Sequence, residues 1–347
     1  MGTEPVFIVG ANRSGTTLLR LILNAHSTLA IPEEVIYLDS YIAGAAIEEW
    51  QSPELSPAVY QAFVDRFIAT RQEVWPELDP VLLREAILDG PHDLRQPYKI
   101  ALEQWAAHYG KTRWGEKTPG NLFYVDILLE MFPDARFIHL VRDPRAGVAS
   151  MQKVDFFPND VVFNALNRHK HDIAGADFLR ESVPAAQRGT IRYEDLVSDT
   201  EATVRTVCEI AGLNFERAML GFHEEADRYM KPEAAQSFNA TATRPVSPKR
   251  LDKWRDQLST REVAIVETVC ASVFKRYGYR PTNASLPLAA RVEVLVKWFY
   301  WRWQSWRNRS IRHYTVKSGM FERSRKRIQA WLHGWENTPS VESISGG

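Results

Sequence analysis

Residues 5–19 read Pro5-Val6-Phe7-Ile8-Val9-Gly10-Ala11-Asn12-Arg13-Ser14-Gly15-Thr16-Thr17-Leu18-Leu19. Val6 to Val9 are an uninterrupted apolar run rich in β-branched side chains, as a strand buried on both faces requires. Leu18, Leu19, Ile22 and Leu23 then recur at helical spacing. The loop between has the G-x-x-x-x-G-K-[ST] spacing of a phosphate-binding turn, with Thr16 where the lysine would stand. Its backbone N–H groups, and the N-terminus of the helix that starts near Gly15, favour an anion. Arg13 adds a fixed positive charge, and the hydroxyls of Ser14, Thr16 and Thr17 are further donors. The missing lysine is the group that NTP-hydrolysing enzymes place on the β/γ-phosphates, so ATP hydrolysis fits the loop poorly.

A second segment repeats this logic. Residues 136–141 (RFIHLV) read as another buried strand, and Arg142-Asp143-Pro144 opens a helix, with Asp143 suited to the N-cap and Pro144 to the first helical position. Arg142 leaves the carboxyl end of that strand, where α/β sheets bind ligands, and Ser150 lies two turns into the helix. Two anion sites on adjacent strand ends suit a nucleotide phosphorylated at both 3′ and 5′ positions. Residues 190–193 read as a third strand, and helices fit 200–211 and 260–277, ending at Gly212 and Gly278. Residues 36–110 look helical and loop-rich, punctuated by prolines from Pro53 to Pro97. Strands separated by helices predict an α/β fold: a P-loop-like parallel sheet flanked by helices, with a helical C-terminal extension.

The motifs together resemble those of sulfotransferases that use 3′-phosphoadenosine-5′-phosphosulfate (PAPS). RSGTTLL at 13–19 looks like the family's 5′-phosphosulfate loop, and VRDPRAGVAS at 141–150 like its 3′-phosphate motif. Gly115-Glu116-Lys117-Thr118-Pro119 is similar to its lysine-bearing loop, and Ile191-Arg192-Tyr193-Glu194-Asp195-Leu196-Val197 to its strand-to-helix element. Pro245-Val246-Ser247 through Leu251-Asp252-Lys253-Trp254 is similar to the late segment that closes over the nucleotide. The resemblance spans roughly 5–281 and implies PAPS as co-substrate. It implies that Arg13 and Lys117 stabilise the leaving side, and that Tyr193 and Lys253 touch the nucleotide. The run from Arg13 through Asn24-Ala25-His26 to Glu33-Glu34 matches the branch of protein-tyrosine sulfotransferases and bacterial relatives.

In the cytosolic branch the base is a histidine two residues after the lysine; here Pro119 stands there. In the protein-tyrosine branch it is the second glutamate of a pair, which falls on Glu34, and neighbouring carboxylates favour a group that takes a proton. The basic residues that follow the pair in that branch are replaced by Val35-Ile36-Tyr37-Leu38-Asp39, which argues against an acidic tyrosine peptide as acceptor. The family's transition-state serine aligns with Asn239, with Ser237 nearby, and that role is left open. A hydroxyl on a glycan, a lipid or a small molecule is the expected acceptor.

The formal net charge of zero hides an asymmetry, because Leu286–Trp335 holds eleven Lys/Arg against two Asp/Glu, and six of the eleven tryptophans. This predicts a catalytic domain over 1–285, with 36–110 on its acceptor side, a basic Trp-rich extension over 286–336 and a disordered tail over 337–347. Val292, Leu295, Val296, Phe299, Trp303 and Trp306 fall on one helical stripe, and Met320, Phe321, Ser324, Ile328, Trp331, Leu332 and Trp335 on another. Such a helix pair suits an anionic membrane surface through 286–335, or packing on the catalytic domain or on a second copy in a homodimer. No nucleic acid partner is expected. Val6–Val9 runs straight into the glycine loop and is not read as a signal peptide, and the two cysteines, Cys208 and Cys270, make no disulfide framework. The expected location is cytoplasmic, with peripheral membrane attachment as the alternative. His139 reads as a core histidine, and His169 and His171 do not face each other, so no metal site is expected. Two other functions compete: a nucleotide-dependent phosphoryl-transfer enzyme, and a non-catalytic membrane-associated nucleotide-binding protein.

Overall fold

A computed structural model describes residues 4–38, 57–71, 75–230 and 242–317, with side chains of the last helix described as far as Trp303. In chain order its elements are β1 (Val6–Gly10), α1 (Thr16–Asn24), β2 (Leu29–Ala30), α2 (Pro57–Arg71), α3 (Pro80–Leu88), α4 (Arg95–His108), β3 (Arg113–Lys117) and α5 (Val125–Met131). They continue with β4 (Arg136–Val141), α6 (Pro144–Met151), α7 (Val161–His169), α8 (Ala176–Ser182), β5 (Arg188–Arg192), α9 (Tyr193–Ser198), α10 (Thr200–Ala211), α11 (Thr260–Val269), α12 (Ala271–Tyr277) and α13 (Leu288–Lys317).

The five strands form one parallel sheet in the order β2-β3-β1-β4-β5. Parallel strands need crossovers that cover both faces, which is why β1 is buried along its whole length. The chain builds one side of β1 first and then passes to the other, so the order reverses between β1 and β4, where ligands settle in such sheets. The register sets Gly10 beside Leu140, which brings the loop after β1 next to the end of β4. Phe7 stacks on Phe137 at 5.4 Å and meets Trp114 edge-on at 5.9 Å, fixing three neighbouring strands through one aromatic cluster.

The chain divides into two compact units. One comprises 1–35 and 109–304; the other includes 36–108. In the second, Tyr37 stacks on Tyr98 at 4.6 Å and meets Phe67 edge-on, and Asp79 caps α3 by accepting from the N–H groups of Val81 and Leu82.

The parallel sheet with flanking helices is as expected, with three local differences. The lysine-bearing segment is not a loop, since Arg113–Lys117 is a central strand between β2 and β1. The third expected strand lies two residues earlier, at Arg188–Arg192, and Tyr193 already starts a helix. The helix expected over 260–277 breaks at Cys270 into α11 and α12. Gly212 and Gly278 end their helices with φ of 64° and 72°, the left-handed conformation glycine adopts without strain. The second apolar stripe and the tail lie outside the described residues.

Candidate functional site

The loop after β1 is shaped by close approach. Gly10 has φ 150°, and a Cβ there would lie 2.4 Å from the Leu140 carbonyl oxygen. Gly15 has φ 93°, and its Cβ would lie 2.3 Å from the Tyr193 ring, so no side chain fits beneath that tyrosine. Arg13 also takes a left-handed conformation, with φ 65°, a strained choice for an arginine of the kind found at ligand clamps. Its Nε donates to Ser150 Oγ at 3.0 Å, and burial, reinforced by Arg142, lowers its pKa. The Ser14 side chain is fully buried and its Oγ has no hydrogen-bond partner among the described residues. A buried hydroxyl left so costs free energy unless a ligand supplies the partner. Thr16 is buried and Thr17 half-buried, both in the first turn of α1.

The end of β4 meets this loop directly. Arg142 donates from its Nη1 to the Arg13 carbonyl at 3.1 Å and lies over the Tyr193 ring at 4.3 Å, while its buried Nε has no partner among the described residues. Asp143 caps α6 by accepting from the Arg145 N–H at 2.8 Å. Arg145 in turn pairs with Asp143 at 2.7 Å and Glu267 at 2.8 Å, with its guanidinium over Trp254. Glu194 accepts from the Asp143 N–H and from the Tyr279 hydroxyl, each at 2.9 Å. Lys253, beside that buried Trp254, is exposed.

Sequence reasoning missed Arg168. This arginine of α7 is fully buried and donates to the carbonyls of Asn12 at 3.0 Å and Arg142 at 2.9 Å, so one guanidinium holds both the loop after β1 and the end of β4. Asp172 compensates its charge at 2.8 Å, although burial raises the Asp172 carboxyl to about 6. The one sequence signal was an Arg/Asp pair four residues apart, which ordinarily reads as a solvated helix pair.

Lys117 and Glu34 meet at the carboxyl end of β3. The buried Lys117 Nζ donates to Glu34 Oε1 at 2.6 Å, and the Glu34 side chain is 39% exposed. The Glu33-Glu34 segment is fixed from beneath. Asn24 exchanges hydrogen bonds with the Ile31 backbone at 2.7 and 2.8 Å, and buried Arg20, its pKa lowered by burial to about 10, donates to the Ile31 carbonyl and lies 4.0 Å from Glu33. Glu116, also missed, takes bonds from Thr118, from Asn121 at 2.6 Å and from the Val35 N–H, tying β3 to the residue after Glu34. Burial raises its carboxyl to about 7.

The structure thus gathers Arg13, Ser14, Arg142, Ser150 and Tyr193 at the β1/β4 strand ends and pairs Lys117 with Glu34 at β3. Ser237 and Asn239 lie outside the described residues. His139 is a fully buried core histidine whose pKa burial lowers to about 3. Among the described residues no three of His, Cys, Asp and Glu come together as a metal site needs.

A model of the sulfotransferase family matches residues 5–217. Protein-tyrosine sulfotransferase A of Caenorhabditis elegans is 23% identical over 300 residues, covering 85% of this chain and 72% of its own. The omega-hydroxy-beta-dihydromenaquinone-9 sulfotransferase Stf3 of Mycobacterium tuberculosis is 26% identical over 317 residues, covering 79% and 75%. Among solved structures, the sulfotransferase domain of the Synechococcus PCC 7002 olefin synthase shares the fold, with a TM-score of 0.56 at 22% identity over 80% of this chain and 97% of that one. The chain belongs to the sulfotransferase family. It is an enzyme of sulfuryl transfer, which sets aside the phosphoryl-transfer and non-catalytic readings.

Proposed function

We propose that the enzyme transfers a sulfuryl group from PAPS to a hydroxyl of its acceptor by in-line displacement. The observation that carries this reading is the pair of strand ends side by side, with the buried Ser14 Oγ and Arg142 Nε both lacking a hydrogen-bond partner among the described residues. PAPS supplies the sulfuryl group and leaves as the 3′,5′-bisphosphate. The 10–17 loop, with Arg13, Ser14, Gly15, Thr16 and Thr17, holds the 5′ side, and Arg142 and Ser150 hold the 3′-phosphate. Tyr193 and Lys253 contact the rest of the nucleotide. Arg13 and Lys117 neutralise charge on the leaving oxygens. Glu34 takes the acceptor proton as the acceptor oxygen–sulfur bond forms and the sulfur–phosphate oxygen bond breaks. The Lys117–Glu34 hydrogen bond joins the cation of the leaving side to the base of the attacking side, so each must release the other during turnover.

The acceptor hydroxyl belongs to a lipid, a glycan or a small molecule, recognised by 36–110. Stf3 acts, by its name, on a menaquinone, which favours the lipid. We place the enzyme peripherally on an anionic membrane surface through 286–335. No described helix is long and apolar enough to cross a membrane.

The test is the thermal shift with 3′,5′-adenosine bisphosphate against ATP with magnesium. A rise with the bisphosphate alone is expected, because a ligand that prefers the folded state stabilises it. A rise only with ATP and magnesium would refute the nucleotide assignment. Glu34→Gln should keep the bisphosphate shift while turnover falls by about 10²-fold. Unchanged turnover removes Glu34 from the reaction.

A further inference from the structure

The helix α13 has two apolar sides, and the domain covers one. Ala290 is fully buried in a core cluster that includes Val162, Ala165 and Ile265 of α7 and α11, and Val294 and Trp301 pack against that cluster. Polar contacts fasten the same side: Lys297 pairs with Asp160 and, at 2.7 Å, with Glu293, which also pairs with Arg261. The opposite side carries Leu288, Val292, Leu295, Val296, Phe299 and Trp303, between 52% and 77% exposed. Including Trp298 and Tyr300, this helix holds eight of the twelve exposed large apolar side chains among the described residues. A concentration of that kind marks an interaction surface.

Charge identifies what the surface meets. Exposed Arg291 and Arg302 stand about three helical turns apart along one edge of the stripe, within the segment that carries eleven Lys/Arg against two Asp/Glu. A second copy docked through this face would set cations against cations, as would the basic residues 323–327 of the same chain. An anionic bilayer instead accepts the apolar stripe, places Trp and Tyr at headgroup depth and neutralises the arginines.

Resting on the peripheral attachment stated above, we propose that the face formed by Leu288, Val292, Leu295, Val296, Phe299 and Trp303 docks on an anionic phospholipid bilayer. The opposite side is fastened to α7 and α11, so the helix is a rigid docking plane rather than a flexible tether. It holds the 109–304 part of the enzyme at a fixed attitude to the lipid surface, where a hydroxyl carried by an amphiphile is presented.

The experiment uses the full chain with vesicles of phosphatidylcholine alone or mixed with phosphatidylglycerol. Wild-type protein should sediment with the mixed vesicles, and less so at high salt. Val296→Glu combined with Phe299→Glu changes only exposed positions, so the bisphosphate thermal shift should be unaltered while vesicle affinity falls by at least about tenfold. If wild type and the double variant bind mixed vesicles equally, the docking face is wrong although membrane attachment stands. If wild type binds neither vesicle, both are wrong. A dimer by light scattering that the double variant abolishes, without vesicle binding, would assign the face to a second copy and overturn the proposal. Each of these outcomes leaves the nucleotide reading to its own test.

Discussion

The ends of β4 and β3 both carry cations, but they are built differently. At β4 every charge has several holders. Arg145 is fixed by Asp143, Glu267 and Trp254, Asp143 by Glu194, and Arg142 by Tyr193 and by Arg168 beneath its carbonyl. At β3, Lys117 Nζ has one hydrogen-bond partner among the described residues, the half-exposed Glu34. Tight bracing suits groups that bind the same phosphates in every state, because it removes the cost of ordering them on binding. A pair that must exchange partners as charge moves is better held by a single bond. Under the proposed function, the β4 end binds and the β3 end carries the chemistry.

Four variants break or sharpen it. The largest effect should come from Arg168→Met, which leaves the buried Asp172 unpaired and frees the Asn12 and Arg142 carbonyls. Breaking such a pair costs about 3–5 kcal/mol, read by chemical denaturation. A loss below about 1 kcal/mol would mean the brace is dispensable. Lys117→Met should reduce turnover by about 10²–10³-fold, as losing a donor to developing charge does, with bisphosphate affinity kept. A parallel loss of both would assign Lys117 to the binding end.

Glu116→Gln tests the underside of β3 by pH. Burial raises this carboxyl from 4.5 to about 7, so between those values the folded protein keeps a proton that the unfolded chain has released. Its contribution to stability therefore declines as pH rises through that window, by up to about 3 kcal/mol. Wild type should lose stability relative to Glu116→Gln from acid to neutral pH, and parallel profiles would show that the site is wetter than its burial implies. Ser150→Ala should have the smallest effect, weakening the bisphosphate about fivefold and a nucleotide without a 3′-phosphate hardly at all, the scale of one hydrogen bond. Equal weakening of both would detach Ser150 from the 3′ side.

The sequence by itself determined the strand, loop and helix at 6–24, the second anchor at 136–150 and their α/β setting, because each rests on local causes. Apolar β-branched runs, a glycine at a left-handed turn and an Asp-Pro helix start act within a few residues of themselves. Lys117 and Glu34 were each singled out through family resemblance, and their meeting was not foreseen. Tertiary structure alone decided the rest. Arg113-Trp114-Gly115-Glu116-Lys117 does not look like a central strand, because three of its five residues are charged. It becomes one because the Ala211 and Gly212 carbonyls receive Arg113, Asn121 and Thr118 hold Glu116, and Glu34 meets Lys117, partners as far as 99 positions away in the chain. Arg168 was invisible for the same reason: its functional partners are carbonyl groups, which every residue has and no sequence pattern marks. The apolar stripe of α13 was legible as a stripe, but a helical period says only that a face exists. Which side of α13 the domain covers, and which it leaves exposed, was settled by packing against α7 and α11.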